Sequence, residues 1–266
     1  MCELLGMSAR HETTIRLSMS ELARHGGQTG PHRDGWGLAY MQGRDALVLR
    51  EPEAAASSAW LACLDHQAVR STSVVAHVRR ATQGERNLGN TQPFSRELGG
   101  RIHVFAHNGM VPGIEVDSRF PARRFRCVGD TDSEHAFCAL LEQLSGLWDG
   151  GVPALDARLA AVVQFATELR SVGPANFIYS DGDAMFAHAH RRRHDGGEIR
   201  PPGLHVLCRT CSAFDDGVPL EAISLPHDAR QEIALVASVP LSDEPWQPLA
   251  EGAIVVLQTG RVVARA

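Results

Sequence analysis

The chain of 266 residues contains no lysine, because all 26 of its basic residues are arginines. This absence excludes enzymes that form a Schiff base on lysine, including pyridoxal-phosphate enzymes and lysine-dependent aldolases. It also excludes the P-loop and protein-kinase architectures, whose phosphate-binding lysine has no counterpart here. GC-rich coding alone accounts for such a bias, so composition by itself assigns no task to any of the arginines.

The sequence also has no apolar run of the roughly 18–20 residues that a membrane-spanning helix requires. Its first residues have neither the basic nor the apolar region of a signal peptide. The net charge of −5 is not that of a general nucleic-acid-binding protein. We therefore expect a cytoplasmic protein with reduced cysteines, no nucleic-acid partner and no association with membranes.

Hydrophobic periodicity predicts strands, then helices, then strands again. Helices are expected at Asp132–Leu144 and near residues 154–170, where apolar residues recur at helical spacing. This order favours an α+β fold built in layers. With no linker in the sequence, we expect a single domain over residues 2–266, with the chemistry-bearing motifs in 2–138 and a strand-rich part at 175–266.

The second residue, Cys2, carries the first feature with catalytic potential. Methionine aminopeptidase usually removes Met1 when a small residue follows, which would expose the thiol and a free α-amine on one residue. An α-amine has a pKa of about 7.7–8.0, so it can act as a general base near neutral pH. An N-terminal nucleophile of this kind carries its own base.

Three further motifs follow predicted strands or begin a predicted helix. Arg79 ends a strand, where its planar guanidinium could hold a carboxylate with two parallel hydrogen bonds. Asn108 and Gly109 end another strand and offer two donors for an oxyanion. Asp132 could accept a substrate ammonium group. Taken singly, each has an ordinary explanation: a surface arginine pair, an Asn-Gly turn and a helix cap.

Taken together and in this order, the motifs resemble those of the class II glutamine amidotransferases, which are N-terminal nucleophile hydrolases. The segments 34–37 (Asp-Gly-Trp-Gly) and 90–94 (Asn-Thr-Gln-Pro-Phe) match as well. The opening segment 1–8 is similar to the stand-alone YafJ-type subgroup. Arg80 replaces the tryptophan found in the aminosugar-synthesising branch, which argues against that branch.

The resemblance implies a fold and three catalytic residues. The fold is a four-layer αββα sandwich of two antiparallel sheets between helices. Cys2 would be the nucleophile that forms a γ-glutamyl thioester. Asn108 and the Gly109 N–H would stabilise the tetrahedral oxyanion.

The resemblance also implies the substrate-binding residues. Arg79 would hold the α-carboxylate of the substrate, with Thr82 nearby, and Asp132 would hold the α-ammonium group. Gly35 would help to frame the site. Gln83 stands where some members have a second histidine, so the role of that position is left open.

The expected function is cleavage of the glutamine side-chain amide, with ammonia passed to an unknown acceptor that could belong to a separate synthetase protein. One alternative is hydrolysis of a γ-glutamyl conjugate, as in ergothioneine biosynthesis. Another is a non-catalytic binding or regulatory protein on the same fold, which would follow from retention of Met1. No cofactor or metal is expected, although Cys208 and Cys211 form a C-x-x-C pattern that leaves zinc binding open.

Overall fold

The computed structural model describes residues 2–194, 196–211 and 230–266. Four α-helices lie in these ranges: α1 (Arg16–His25), α2 (Ala59–Gln67), α3 (Asp132–Leu144) and α4 (Leu155–Val172). The strands of the described ranges are β1 (Glu3–Thr13), β2 (Trp36–Gln42), β3 (Asp45–Glu51), β4 (Ser71–Val78), β5 (Phe94–Leu98), β6 (Arg101–Gly109), β7 (Ala175–Ser180), β8 (Met185–His188), β9 (Arg192–Arg193), β10 (Ile199–Arg200), β11 (His205–Cys211), β12 (Gln231–Ala237), β13 (Gln247–Pro248), β14 (Ile254–Gln258) and β15 (Arg261–Arg265).

The strands form two large antiparallel sheets and one small hairpin. The seven-stranded sheet has the order β13-β11-β12-β1-β4-β2-β3, and the six-stranded sheet has the order β15-β14-β8-β7-β6-β5. The two-residue strands β9 and β10 form a separate two-stranded sheet within the described residues. The N-terminal strand β1 is therefore central in the first sheet, between β12 and β4.

A hydrophobic core lies between each pair of neighbouring layers of the described residues, which gives three cores. One lies between the seven-stranded sheet and α1, a second between the two sheets, and a third, rich in phenylalanine, between the six-stranded sheet and helices α3 and α4. The predicted four-layer αββα sandwich is thus confirmed. None of the helices in the described ranges is both long and apolar enough to cross a membrane.

Strand β1 shows how the sequence produces this layering. Side chains alternate between the faces of a strand, so Leu5 and Met7 enter the outer core while Leu4 enters the core between the sheets. Gly6 also faces the second sheet, where an added Cβ would lie 2.7 Å from Met185 Sδ. Glycine at this position therefore permits the close approach of the two sheets.

The two predicted helices are confirmed with small differences at their ends. Helix α3 has the predicted bounds, and Thr131 caps it by accepting a hydrogen bond from the Glu134 N–H at 3.3 Å. Helix α4 continues to Val172, the residue before the predicted stop at Gly173.

Candidate active site

Cys2 lies where the first residues of β1 meet the end of β4. Glu3 pairs with Val78 across the two strands, which places Cys2 beside the Arg79–Arg80 pair that follows β4. The Cys2 Sγ accepts a hydrogen bond from the Arg80 N–H at 3.4 Å and lies 3.6 Å from the Arg80 carbonyl oxygen, to which its S–H donates. The thiol is therefore held by main-chain groups at the edge of the site.

The electrostatic surroundings keep the Cys2 thiol protonated. Burial raises its pKa, and the nearby Asp132 carboxylate raises it further, while the Arg80 hydrogen bond and the Arg79 charge act in the opposite direction. Because the thiolate is the reactive form, this cysteine requires a base to remove its proton.

Arg79 is buried, with 3% of its surface exposed. Its guanidinium donates hydrogen bonds to the carbonyl oxygens of Gln83 (3.0 Å), Gly84 (3.2 Å), Glu85 (3.2 Å) and Asp34 (3.4 Å). In the part of the chain that the structure describes, no carboxylate lies within 4.0 Å of it. Arg79 therefore organises the loop after β4, and its guanidinium forms no ion pair with a carboxylate of the described residues.

Gly35 belongs to the loop that closes over this strand end. Its carbonyl accepts from the Arg79 N–H at 2.7 Å, and the Asp34 carboxylate accepts from the Ala81 N–H at 2.8 Å. Gly35 has φ +137°, and an added Cβ would lie 3.1 Å from Thr91 Oγ1. Only glycine adopts this backbone conformation readily, so the loop takes its path beside Arg79 because residue 35 is a glycine.

Asn108, at the end of β6, reaches across from the second sheet. It is 1% exposed, and its Nδ2 donates to Ser238 Oγ at 3.4 Å. Ser238 Oγ also accepts from the Leu4 N–H at 3.0 Å, two residues after Cys2. The Asn108 Oδ1 has no hydrogen-bond partner among the described residues. Ser238 therefore holds the Asn108 amide next to the first residues of β1.

Gly109 follows Asn108 in a position that excludes any side chain. An added Cβ would lie 1.9 Å from the Pro174 carbonyl oxygen and 2.5 Å from His107 Nε2. The backbone of β6 can therefore reach this point only with glycine.

Asp132 is the first residue of α3 and does not cap it, since Thr131 does. Its Oδ2 accepts from the Val111 N–H at 2.8 Å, and its Oδ1 accepts from Ser133 Oγ at 3.2 Å. These bonds tie the start of α3 to the chain just beyond Gly109. The negative charge of Asp132 raises the pKa of the Cys2 thiol, and the positive charge of Arg79 lowers it. The two charges therefore act on the same thiol with opposite sign.

Two buried histidines lie beside these residues and are neutral. Burial lowers the pKa of His77 to about 3 and also lowers that of His107. His107 Nδ1 lies 2.9 Å from Ser133 Oγ, whereas His107 Nε2 and both ring nitrogens of His77 have no partner among the described residues. Neither imidazole hydrogen-bonds Cys2, so neither is placed as its base.

The remaining predicted site residue, Thr82, lies in the loop after β4. Its side chain is exposed and makes no hydrogen bond within the described ranges. Proximity to Arg79 is therefore all that the fold provides for it. Gln83, at the position left open, contributes its main-chain carbonyl to the Arg79 guanidinium.

Sequence reasoning missed Ser238 and Gln92. Ser238 holds the Asn108 amide, and the Gln92 Oε1 accepts from the His107 N–H at 2.6 Å. Gln92 lies inside the segment 90–94, which resembles the corresponding family segment. That resemblance indicated the position of Gln92 but not its contact with His107. Ser238 had no such signal, because it lies 130 residues from Asn108 in the sequence.

A cavity of about 580 Å³ opens beside Cys2 on the side of the seven-stranded sheet that faces α1. The loop 29–32, the hairpin of β9 and β10, and residues 239–240 form its other walls. Its lining residues are Cys2, Glu3, Glu21, His25, Thr29, Gly30, Pro31, His32, Arg80, Arg192, Arg193, His194, Gly197, Val239 and Pro240. Arg79 and Asp132 do not line it.

The C-x-x-C pattern falls on β11. Cys208 is an exposed free thiol, and the side chain of Cys211 lies outside the described residues. Within the described residues, no group of three or more histidine, cysteine or acidic side chains is placed to hold a metal ion.

Comparisons with known proteins agree with the predicted family. The model of the family described as class II glutamine amidotransferases matches residues 1–266. YafJ of Escherichia coli (strain K12), named as a candidate glutamine amidotransferase, is 37% identical in an alignment of 259 positions that covers 95% of each chain. A candidate glutamine amidotransferase of Haemophilus influenzae is 33% identical over 99% of this chain and 86% of its own.

Solved structures give the same result. The crystal structure of a candidate glutamine amidotransferase from Pseudomonas aeruginosa PA01 has a TM-score of 0.69 at 29% identity, covering 99% of this chain and 100% of that one. The glutamine phosphoribosylpyrophosphate amidotransferase of B. subtilis has a TM-score of 0.56 at 14% identity, covering 97% of this chain and 47% of its own. The second likeness concerns the fold alone. The family match and the identity to YafJ together show that this chain belongs to the class II glutamine amidotransferases.

Proposed function

We propose that this protein cleaves the side-chain amide of glutamine through a thioester on Cys2 and releases ammonia. The observation that carries the proposal is the convergence of Cys2, Arg79, Asn108 and Asp132, which come from four separate motifs, at one end of the two sheets. Hydrogen bonds join them to neighbouring groups. Cys2 bonds with Arg80, and Asp132 bonds with Val111. Ser238 bonds with both Asn108 and Leu4.

Removal of Met1 precedes the reaction and exposes the α-amine of Cys2. The pKa of the Cys2 thiol is raised by burial, and no other base hydrogen-bonds Sγ among the described residues. The α-amine, with an ordinary pKa of about 7.7–8.0, takes the thiol proton. The absence of lysine does not matter here, because this base is part of the main chain.

The amino-acid end of the substrate is held by opposite charges. Arg79 binds the α-carboxylate with its guanidinium, and Asp132 binds the α-ammonium group, with Thr82 and Gly35 at the border of this region. A fixed head group brings the side-chain amide to Cys2 in a reactive position, which can supply several kcal/mol of the barrier reduction, out of the roughly 7–11 that positioning provides at most.

Bond formation and cleavage follow at Sγ. The thiolate attacks the amide carbon, and the Asn108 Nδ2 and Gly109 N–H stabilise the oxyanion. The Cys2 ammonium returns its proton to the nitrogen, the C–N bond breaks and ammonia leaves. Water then hydrolyses the γ-glutamyl thioester to glutamate and the free thiol. The ammonia is then available for transfer to an acceptor.

The test combines mass spectrometry with covalent labelling. We expect the intact mass to show loss of Met1 and a diazo-ketone analogue of glutamine to add once, at Cys2. Glutaminase activity should disappear in Cys2→Ala and persist in Cys63→Ala, which removes an exposed thiol outside the site.

Two outcomes would contradict the proposal. A protein that retains Met1 and never labels would be a non-catalytic binding protein on this fold. A processed protein whose Cys2→Ala variant hydrolyses glutamine at the unchanged rate would have a different nucleophile.

A further inference from the structure

Two cysteines that the proposed mechanism does not use lie together at the edge of the phenylalanine-rich core. Cys127 is a half-buried residue of the loop before α3, and Cys138 is a fully buried residue of that helix. Both thiols are free, and their Sγ atoms are 4.0 Å apart, which is hydrogen-bonding distance for two sulfur atoms. A disulfide has a sulfur–sulfur distance of about 2 Å, so a small movement of the loop would bring the two atoms into bonding contact.

The two thiols differ in acidity. The hydrogen bond with Cys138 lowers the pKa of Cys127, and a hydrogen bond with His135 lowers it further, although burial and the neighbouring Glu134 carboxylate oppose both. The hydrogen bond with Cys127 raises the pKa of Cys138, and so does burial. The contact with Cys127 also raises the pKa of His135. Cys127 is therefore the thiolate of the pair, and Cys138 is the thiol that donates to it.

The two thiols also differ in access to solvent. Cys127 is partly exposed and lies next to Val128, which is 80% exposed, whereas Cys138 is completely buried. The His135 ring beside Cys127 is held in place, because its Nε2 donates to the Phe120 carbonyl oxygen at 2.9 Å. A small oxidant in solution would therefore meet Cys127 first. An accessible thiolate beside a second thiol is the arrangement that reacts with peroxides and closes to a disulfide.

We propose that Cys127 and Cys138 form a redox-active dithiol that reduces hydroperoxides and becomes a disulfide. The Cys127 thiolate attacks the terminal oxygen of the hydroperoxide, the O–O bond breaks, and the departing alkoxide takes a proton from solvent. Cys127 is thereby oxidised to a sulfenic acid. The Cys138 sulfur then attacks the Cys127 sulfur, the S–O bond breaks, and hydroxide leaves with the Cys138 proton as water. Two electrons pass from the two thiols to the peroxide.

The loop that carries Cys127 is connected by hydrogen bonds to the proposed substrate site. The Asp130 N–H donates to Asn90 Oδ1 at 2.9 Å, and Asn90 Nδ2 donates to the Glu85 carbonyl oxygen at 3.0 Å. The same carbonyl oxygen accepts from Arg79 Nη1 at 3.2 Å. Disulfide formation would draw Cys127 towards α3 and displace this loop. We therefore expect weaker binding of glutamine at Arg79 in the oxidised protein, an effect that rests on the proposed function.

Alkylation followed by mass spectrometry tests the dithiol itself. Because the chain has no lysine, cleavage after arginine leaves both cysteines in one fragment, residues 127–158. After treatment with hydrogen peroxide, this fragment should be lighter by two hydrogen atoms and take up no alkyl group, and dithiothreitol should restore both thiols. Cys127 should react about tenfold faster than the exposed Cys63, since a larger thiolate fraction outweighs its lower nucleophilicity.

Two variants separate the steps of the reaction. In Cys138→Ala, oxidation of Cys127 should stop at the sulfenic acid, which dimedone labels. Cys63→Ala, which removes an exposed thiol, is the matched control and should form the disulfide as the wild type does. Reaction of Cys127 no faster than that of Cys63, or uptake of two alkyl groups by the fragment after peroxide treatment, would overturn the proposal in the wild-type protein alone.

Glutamine kinetics test the effect on the site. In the oxidised protein, KM should rise about tenfold, the loss of roughly one charge-assisted hydrogen bond, and dithiothreitol should reverse the change. Oxidation of Cys2 itself would lower kcat, and it would also occur in Cys138→Ala, where KM should stay constant. An unchanged KM in protein that contains the disulfide overturns the link to the site. If the reduced protein hydrolyses no glutamine, the glutaminase proposal fails, and the fragment mass still decides the dithiol.

Discussion

Two buried arginines lie at opposite ends of the sandwich and have opposite electrostatic surroundings. Arg158, on α4, is 4% exposed and contacts two carboxylates, with Nη1 2.8 Å from Asp181 Oδ2 and Nη2 2.7 Å from Asp183 Oδ2. These acids follow the end of β7. Arg79 is equally buried, but its four contacts are neutral carbonyl oxygens near the other end of the sheets.

The difference in partners distinguishes an arginine with a structural role from one whose charge is available to a ligand. A buried ion pair that satisfies both partners needs nothing further. A buried cation without a carboxylate is costly to maintain and attracts an anion. Arg158 therefore joins α4 to the turn after β7, whereas Arg79 retains the charge that the proposed substrate carboxylate would meet. Burial alone does not distinguish the two.

The largest effect is expected at the structural end. In Arg158→Met, the fully buried Asp181 loses its partner, and the free energy of unfolding should fall by about 3–5 kcal/mol. Urea unfolding measures the change, with Arg261→Gln, at an exposed ion pair, as the control that leaves the midpoint nearly unchanged. Activity per folded molecule should be normal. A large loss of activity in the folded variant would contradict the view that Arg158 is structural and separate from the site.

The next effect is expected at the site. Asn108→Ala removes a proposed oxyanion donor, so kcat for glutamine should fall about 10²–10³-fold, or roughly 2.7–4 kcal/mol. KM should change little, because the head group is held elsewhere. Steady-state kinetics separates the two constants, and circular dichroism establishes that the variant is folded. A normal kcat would remove Asn108 from the catalytic residues.

The smallest effect concerns Arg79 itself. Arg79→Lys keeps the charge but replaces the planar fork with a point charge that cannot serve the loop carbonyls and a carboxylate together. We expect the KM for glutamine to rise by about tenfold, about 1.4 kcal/mol, against Arg44→Lys as control. A lower melting temperature with an unchanged KM would assign Arg79 to loop structure alone, and the contrast with Arg158 would then lose its functional meaning.

Local signals in the sequence predicted several elements well. Thr131 and Asp132, followed by apolar residues at helical spacing, placed α3 with its observed bounds, because the cap and the periodicity are properties of neighbouring residues. Strand β5 (Phe94–Leu98) was not anticipated. Three of its five residues are polar or charged, and its state depends on pairing with β6, which a local pattern does not record.

The candidate site divides in the same way. Cys2, Arg79, Asn108, Gly109 and Asp132 were identified from motifs, since each occurs in a short pattern at the end of an element. Their roles in catalysis and binding remain predictions. The contact between Ser238 and Asn108 was out of reach, because two strands of different sheets bring these residues together.

Sequence alone was sufficient for the inventory of groups: no lysine, a cysteine at position 2 and 26 arginines. It also indicated the family, because the motifs are local. Tertiary structure decided the electrostatic state of those groups. Whether a guanidinium meets a carboxylate, as in Arg158, or only carbonyl oxygens, as in Arg79, depends on residues brought together by sheet pairing and packing. Charge balance is a property of distances in space, and the order of residues along the chain does not contain it.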